Sequence, residues 1–135
     1  MTSSIKYNGA LRCETVHKQS GSTIETDAPT DNRGKGERFS PTDLTATSLG
    51  LCLITTMGIK ANDMGIELAG AEVEVQKIMS PDAPRRIIRV VVKATLPALH
   101  LKEKEKAILE ATGNGCPVAR SLHPDIEQEI TYTWL

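Results

Sequence analysis

From Leu44 to Ile59 every residue is apolar, small or hydroxyl-bearing, and the flanking charges are Asp43 and Lys60. A helix start precedes this run: Ser40 is suited to the N-cap, Pro41 to the first helical position, and Asp43 to a capping-box partner. The spacing predicts a helix from Pro41 to about Met64, closed by Gly65 as a left-handed C-cap and about 36 Å long at 1.5 Å per residue. Such a helix has no polar face to turn to water. It therefore runs through the centre of the domain, or a second subunit covers it.

On either side of that helix the period is two. Residues 10–17 (ALRCETVH) and 23–26 (TIET) flank the turn KQSGS and read as a hairpin, with a short strand before them near Ser4 to Tyr7. Residues 27–40 combine Pro29, Gly34 and Gly36 with several charges, the composition of a surface loop. After Gly65, Val73 and Val75 alternate with Glu72, Glu74 and Gln76. Ile88, Val90, Val92 and Ala94 alternate with Arg89 and Lys93, which gives an antiparallel hairpin over 69–79 and 85–96 joined by SPDAP. Residues 102–112 read as an amphipathic helix with Ala107, Ile108 and Ala111 as its apolar positions. A short helix starts at Cys116 or Pro117, and residues 126–134 alternate Ile126, Ile130, Tyr132 and Trp134 against Glu and Thr. The order predicts one α+β domain covering residues 1–135.

Composition removes several functions. Sixteen Lys and Arg against seventeen Asp and Glu give a net charge of -1, and aromatics amount to one Trp, two Tyr and one Phe. Neither a basic footprint nor stacking platforms are present, so nucleic acid is not an expected partner. The apolar run is shorter than the ~20 residues of a membrane span and rich in Thr, Ser and Gly, and the N-terminus lacks a secretory pattern. A soluble cytoplasmic protein with no membrane partner is expected, its three cysteines reduced. The histidines His17, His100 and His123 are scattered without metal-ligand spacing, and no CxxC, HExxH or Walker pattern occurs, so no metal or other cofactor is expected.

Two cysteines attract chemistry. Cys116, between Gly115 and Pro117, falls at a helix N-cap, where unpaired N–H groups favour a thiolate and lower the pKa. Cys52 lies mid-helix, where apolar burial raises a thiol's pKa unless a cation or hydrogen-bond donor reaches it. A cysteine inside an apolar helix is ordinarily a small core residue. The N-cap slot more often belongs to Ser, Thr, Asp or Asn, which makes Cys116 the less ordinary of the two. Cys13, alternating with charged neighbours, reads as structural.

The pattern FSPTDLTATSLGLC, followed much later by CPVARSL, resembles the OsmC/Ohr family of thiol-dependent hydroperoxide-reducing proteins. That resemblance implies an OsmC-like α+β fold in which antiparallel sheets wrap around long central helices in an intertwined homodimer. It implies Cys52 as the peroxidatic thiolate attacking an organic hydroperoxide, Cys116 as the resolving thiol, and a small dithiol or dithiol-protein reductant that reopens their disulfide. The better-known members carry a glutamate directly after the helix-starting proline, oriented towards an arginine at the thiolate. Here Thr42 stands there, with Asp43 one step on, and Arg12 or Arg38 is the candidate cation. The alternative is a non-catalytic dimer of the same fold that binds a hydrophobic ligand or senses oxidants through its thiols.

Overall fold

The computed structural model describes all 135 residues, and the chain divides into two compact units, Met1–Leu44 and Thr45–Leu135. The first is a three-stranded antiparallel sheet of β1 (Ser3–Gly9), β2 (Arg12–His17) and β3 (Thr23–Asp27), in that order. The predicted strand over 10–17 begins two residues late because Ala10 and Leu11 both take positive φ, 51° and 61°, in the tight turn after Gly9. Between β2 and β3, the turn residues set a register that pairs Arg12 with Asp27 and Cys13 with Thr26. The segment after β3 contains one 3₁₀ turn, Thr30–Asn32. It returns to the sheet where the Asp27 amide donates to the Phe39 carbonyl at 3.2 Å.

The long helix α1 (Pro41–Asp63) starts and stops as the sequence requires. The Asp43 amide donates to Ser40 Oγ at 3.0 Å and the Ser40 amide donates to Asp43 Oδ2 at 2.9 Å, a reciprocal capping box. At the other end Gly65 takes φ 68°. The Ile66 amide donates to the Ala61 carbonyl at 2.8 Å and the Gly65 amide to the Asn62 carbonyl at 3.1 Å, a Schellman closure.

In the second unit β4 (Glu72–Met79) and β5 (Ile87–Leu96) form the expected hairpin, and β6 (Glu127–Trp134) pairs with β5. That last pairing is parallel, so this sheet is mixed rather than purely antiparallel as the resemblance implied. The reason is connectivity. The crossover from β5 to β6 runs through α2 (Glu103–Asn114) and α3 (Pro117–Ser121), which bring the chain back to the same end of the sheet. Ala46, Leu49, Leu53, Met57 and Ala61 of α1 pack with Val90, Val92, Ala94 and Leu96 of β5 and with Leu109 and Cys116 in one core. Each fully buried leucine there is worth about 1.5–3 kcal/mol of apolar transfer. Gly50 lets α1 approach the sheet, since a Cβ there would meet Val75 Cγ2 at 2.6 Å and Val73 Cγ1 at 3.2 Å.

One expectation about faces changes. In α2 the buried positions are Leu109 and Gly113, whereas Ala107 and Ala111 are exposed. A methyl group hides little surface, so the one leucine sets the orientation. In α1 the buried stripe leaves Leu51 and Ile59 each 62 % exposed within the single chain. By length and composition α1 is the one helix apolar enough to cross a membrane, yet its leucine and methionine stripe is committed to the core.

Candidate functional site

The site is assembled around a turn. The sequence Gly113-Asn114-Gly115 ends α2, and Pro117 at the first position of α3 makes Cys116 its N-cap, fully buried. The Cys116 amide donates to the Gly113 carbonyl at 3.1 Å, and the Ala119 amide donates to Cys116 Sγ at 3.5 Å. Directly against this turn lies Cys52 of α1, half-buried and packed on the same core. The two thiols are close enough that each affects the acidity of the other.

Their acidities part in opposite directions, and both differ from the sequence expectation. Burial raises the Cys52 pKa, but the Val118 amide, the Cys116 thiol and the Thr56 hydroxyl all stabilise its thiolate, and the net shift is downward. The Thr56 Oγ1 lies 3.9 Å from Cys52 Sγ, one helical turn along α1. Cys116, expected to be the acidic thiol, is instead raised. Burial is the main cause, and the neighbouring Cys52 sulfur adds to it against the acidifying Ala119 amide. A fully buried N-cap gains less from the helix end than it loses in solvation. The arrangement therefore makes Cys52 the more acidic of the two thiols and Cys116 the less acidic.

Arg12, Arg38 and Asp43 all lie in the first unit. Arg12 donates through Nε and Nη2 to both oxygens of the buried Asp27 at 2.8 and 2.9 Å, and through Nη2 to Glu37 at 3.1 Å. Arg38 is held by Glu25 at 2.9 Å. Asp43 closes the capping box described above. Cys13 is a free, half-buried thiol on β2.

A sequence model described as OsmC-like protein matches residues 34–131, the segment that contains both α1 and the Cys116 turn. The chain belongs to the OsmC-like protein family. A crystal structure from Psychrobacter arcticus, described as an osmotic stress induced and detoxification response protein, is 49 % identical to this OsmC-like chain. It superimposes with a TM-score of 0.92 over 98 % of this chain and 95 % of that one. The fold also matches an organic hydroperoxide resistance protein OsmC from Legionella pneumophila, with a TM-score of 0.73 at 19 % identity over 98 % and 97 % of the two chains. The organic hydroperoxide resistance protein OhrB of Bacillus subtilis gives 0.68 at 14 % identity over 98 % of each chain. No curated protein matches.

Sequence reasoning missed Asp27 as the partner of Arg12 in the first unit and, in the second, the neighbours of the Cys52 thiol. Asp27 was legible, because a hairpin centred on KQSGS sets Arg12 opposite it. Thr56, four residues after Cys52, was legible from helical spacing. The Val118 amide was not, because only the tertiary fold brings α3 to α1. Beside α1, Thr47, Gly50, Leu51, Ile54, Val73 and Val75 line an apolar groove of about 70 Å³, far smaller than the several hundred Å³ a ligand pocket usually offers.

Proposed function

We propose that this OsmC-like protein is a thiol-dependent peroxidase that reduces organic hydroperoxides through Cys52 and Cys116. The observation that carries the reading is the packing of Cys52 of α1 against the core that holds Cys116, with the Cys52 pKa lowered and the Cys116 pKa raised. The Cys52 thiolate attacks the distal oxygen of the hydroperoxide, the O–O bond breaks, and the alkoxide takes a proton to leave as alcohol while Cys52 becomes a sulfenic acid. Cys116 then attacks the sulfenic sulfur, its proton leaves with the hydroxyl as water, and a Cys52–Cys116 disulfide forms. A small dithiol or dithiol-protein reductant restores both thiols and is itself oxidised to a disulfide.

The working unit in this reading is a cytoplasmic homodimer in which the two units of each chain act as one OsmC-like domain. Leu51 and Ile59 on α1, and Ile5, Tyr7, Leu11 and Ile24 in the first unit, are exposed apolar side chains that a partner subunit would cover. The groove beside α1 would then be enlarged by the second chain into a site for apolar hydroperoxides. Arg12 and Asp43 have supporting roles, Arg12 holding the first unit together with Asp27 and Asp43 fixing the start of the helix that carries Cys52.

Thiol titration before and after one equivalent of cumene hydroperoxide tests the reading. Loss of two thiols per chain is expected, abolished in Cys52→Ser and reduced to one in Cys116→Ser. Unchanged thiols together with retained affinity for an apolar dye would instead support a non-catalytic ligand-binding dimer, the reading favoured by the apolar groove alone. Slow oxidation of both thiols without turnover in excess dithiol would mark a sensor.

A further inference from the structure

The segment that presents Cys116 is clamped from β6 by a residue outside the thiol pair. Tyr132 donates its hydroxyl to Asn114 Oδ1 at 2.8 Å, with the Glu110 carbonyl also within reach at 3.3 Å. The same oxygen sits over Gly113, where an added Cβ would come within 2.8 Å of it and within 2.9 Å of Met57 Cγ. Gly113 is thus glycine because the phenol and Met57 occupy its side-chain space. Burial, with Glu110 and Cys116 nearby, pushes the Tyr132 pKa well above its ordinary value, so the group remains a donor at any physiological pH. Around the turn, Arg120 Nε donates to the Gly115 carbonyl at 2.8 Å and Gln128 Nε2 to the Ala119 carbonyl at 2.9 Å. The last turn of α2 and the first of α3 are tied on both sides of Cys116.

We propose that Tyr132 is a positioning residue for the resolving thiol: its hydroxyl fixes residues 113–116 so that Cys116 faces Cys52 and closes the disulfide promptly. This rests on the peroxidase reading above and adds to it a residue that acts chiefly on the second chemical step. Attack by Cys116 on the sulfenic sulfur needs the two sulfurs to close to a covalent bond of about 2.05 Å. A turn already held in the correct geometry leaves only the side chain to move. Released from Tyr132, the Gly113-Asn114-Gly115 segment samples many conformations, since glycine restrains its backbone least. Fewer of those conformations aim the sulfur at its target. The first step, at Cys52, uses the Val118 amide, the Cys116 thiol and Thr56, and Tyr132 reaches it only through the segment it holds.

The experiment compares Tyr132→Phe with Trp134→Phe in the full-length protein. Both variants remove a hydrogen bond from β6 to α2, because Trp134 Nε1 donates to Glu110 Oε1 at 2.8 Å, one turn before Asn114. After one equivalent of cumene hydroperoxide, the rate of sulfenic acid appearance and its lifetime are read by trapping with a cyclic 1,3-dione and by mass spectrometry. Tyr132→Phe is expected to lengthen the lifetime about five-fold, the factor that one net hydrogen bond corresponds to at room temperature, and to slow appearance by a smaller factor. Trp134→Phe is expected to leave both unchanged. Asn114→Ala, which deletes the acceptor and keeps the phenol, should reproduce the Tyr132→Phe result and serves if that variant fails to fold. An unaltered lifetime in Tyr132→Phe and Asn114→Ala while the wild type cycles normally overturns the positioning role alone, as does an equal lengthening in Trp134→Phe. A wild type inert towards the hydroperoxide overturns the peroxidase reading, and the positioning role with it.

Discussion

Gly50 is a point where α1 comes close to the sheet, and replacing it with alanine opposes two effects of known size. The helix gains, because alanine is about 1 kcal/mol better than glycine in a helix interior. The packing loses. The new methyl would sit 2.6 Å from Val75 Cγ2, closer than real Cβ atoms approach anything, and 3.2 Å from Val73 Cγ1. Val75 is β-branched and stiff at χ1, so it cannot swing away, and β4 is held in register to β5 from Glu72 to Met79. Overpacking of this kind costs about 1–3 kcal/mol. With the near contact so short the upper part of that range applies, leaving Gly50→Ala less stable than wild type by about 1–2 kcal/mol. At roughly 3–5 °C per kcal/mol for a chain of this size, the melting temperature should fall by about 3–10 °C. Urea unfolding followed by the fluorescence of the single tryptophan, Trp134, measures the loss at fixed protein concentration. Combining Gly50→Ala with Val75→Ala provides the control. The double variant should be more stable than the sum of the single effects predicts, by about 1 kcal/mol or more, because the second truncation makes room for the first methyl. If Gly50→Ala matched or exceeded the wild type, or the two changes proved additive, the close approach of α1 to β4 would be wrong, and with it the placement of Cys52 two residues later.

Three further outcomes follow from the charges and donors of the two units. The alkylation rate of Cys52 should rise with pH and reach half its plateau below the ordinary thiol value of about 8.5. Cys116→Ala should move that midpoint upward by removing a group that favours the thiolate; a midpoint unmoved or lower would refute the influence of Cys116 on Cys52. Thr56→Val should also raise the midpoint while Thr56→Ser retains it, as measured by the thiolate absorbance at 240 nm against pH; identical curves for Val and Ser would remove Thr56 from the site. Asp27 titrates below the usual carboxylate range because Arg12 hydrogen-bonds to it. Its contribution to stability is therefore complete above about pH 3.9 and disappears as pH falls through its lower folded-state value. Asp27→Asn should flatten the acid side of the stability curve, and an unchanged dependence of the urea midpoint between pH 2 and 5 would count against the pair.

Local chemistry in the chain determined most of the elements. Ser40, Pro41 and Asp43 start α1 and Gly65 ends it, because capping depends on residues within one turn of the terminus. Alternation across residues 72–76 and 127–134 marked the strands, since a half-buried sheet needs a period of two whatever it packs against. Pro117 placed Cys116 at an N-cap for the same local reason. What the sequence could not determine is everything that depends on a neighbour distant in the chain. The parallel pairing of β6 with β5 is invisible to a pattern that reads the same in either direction. The order of the two thiol acidities was also misjudged from local rules. The N-cap argument for Cys116 ignored its complete burial, and the burial argument for Cys52 lacked the Val118 amide that α3 brings to it. Solvation and long-range hydrogen bonding are properties of the packed structure, and they decide which thiol is the more acidic.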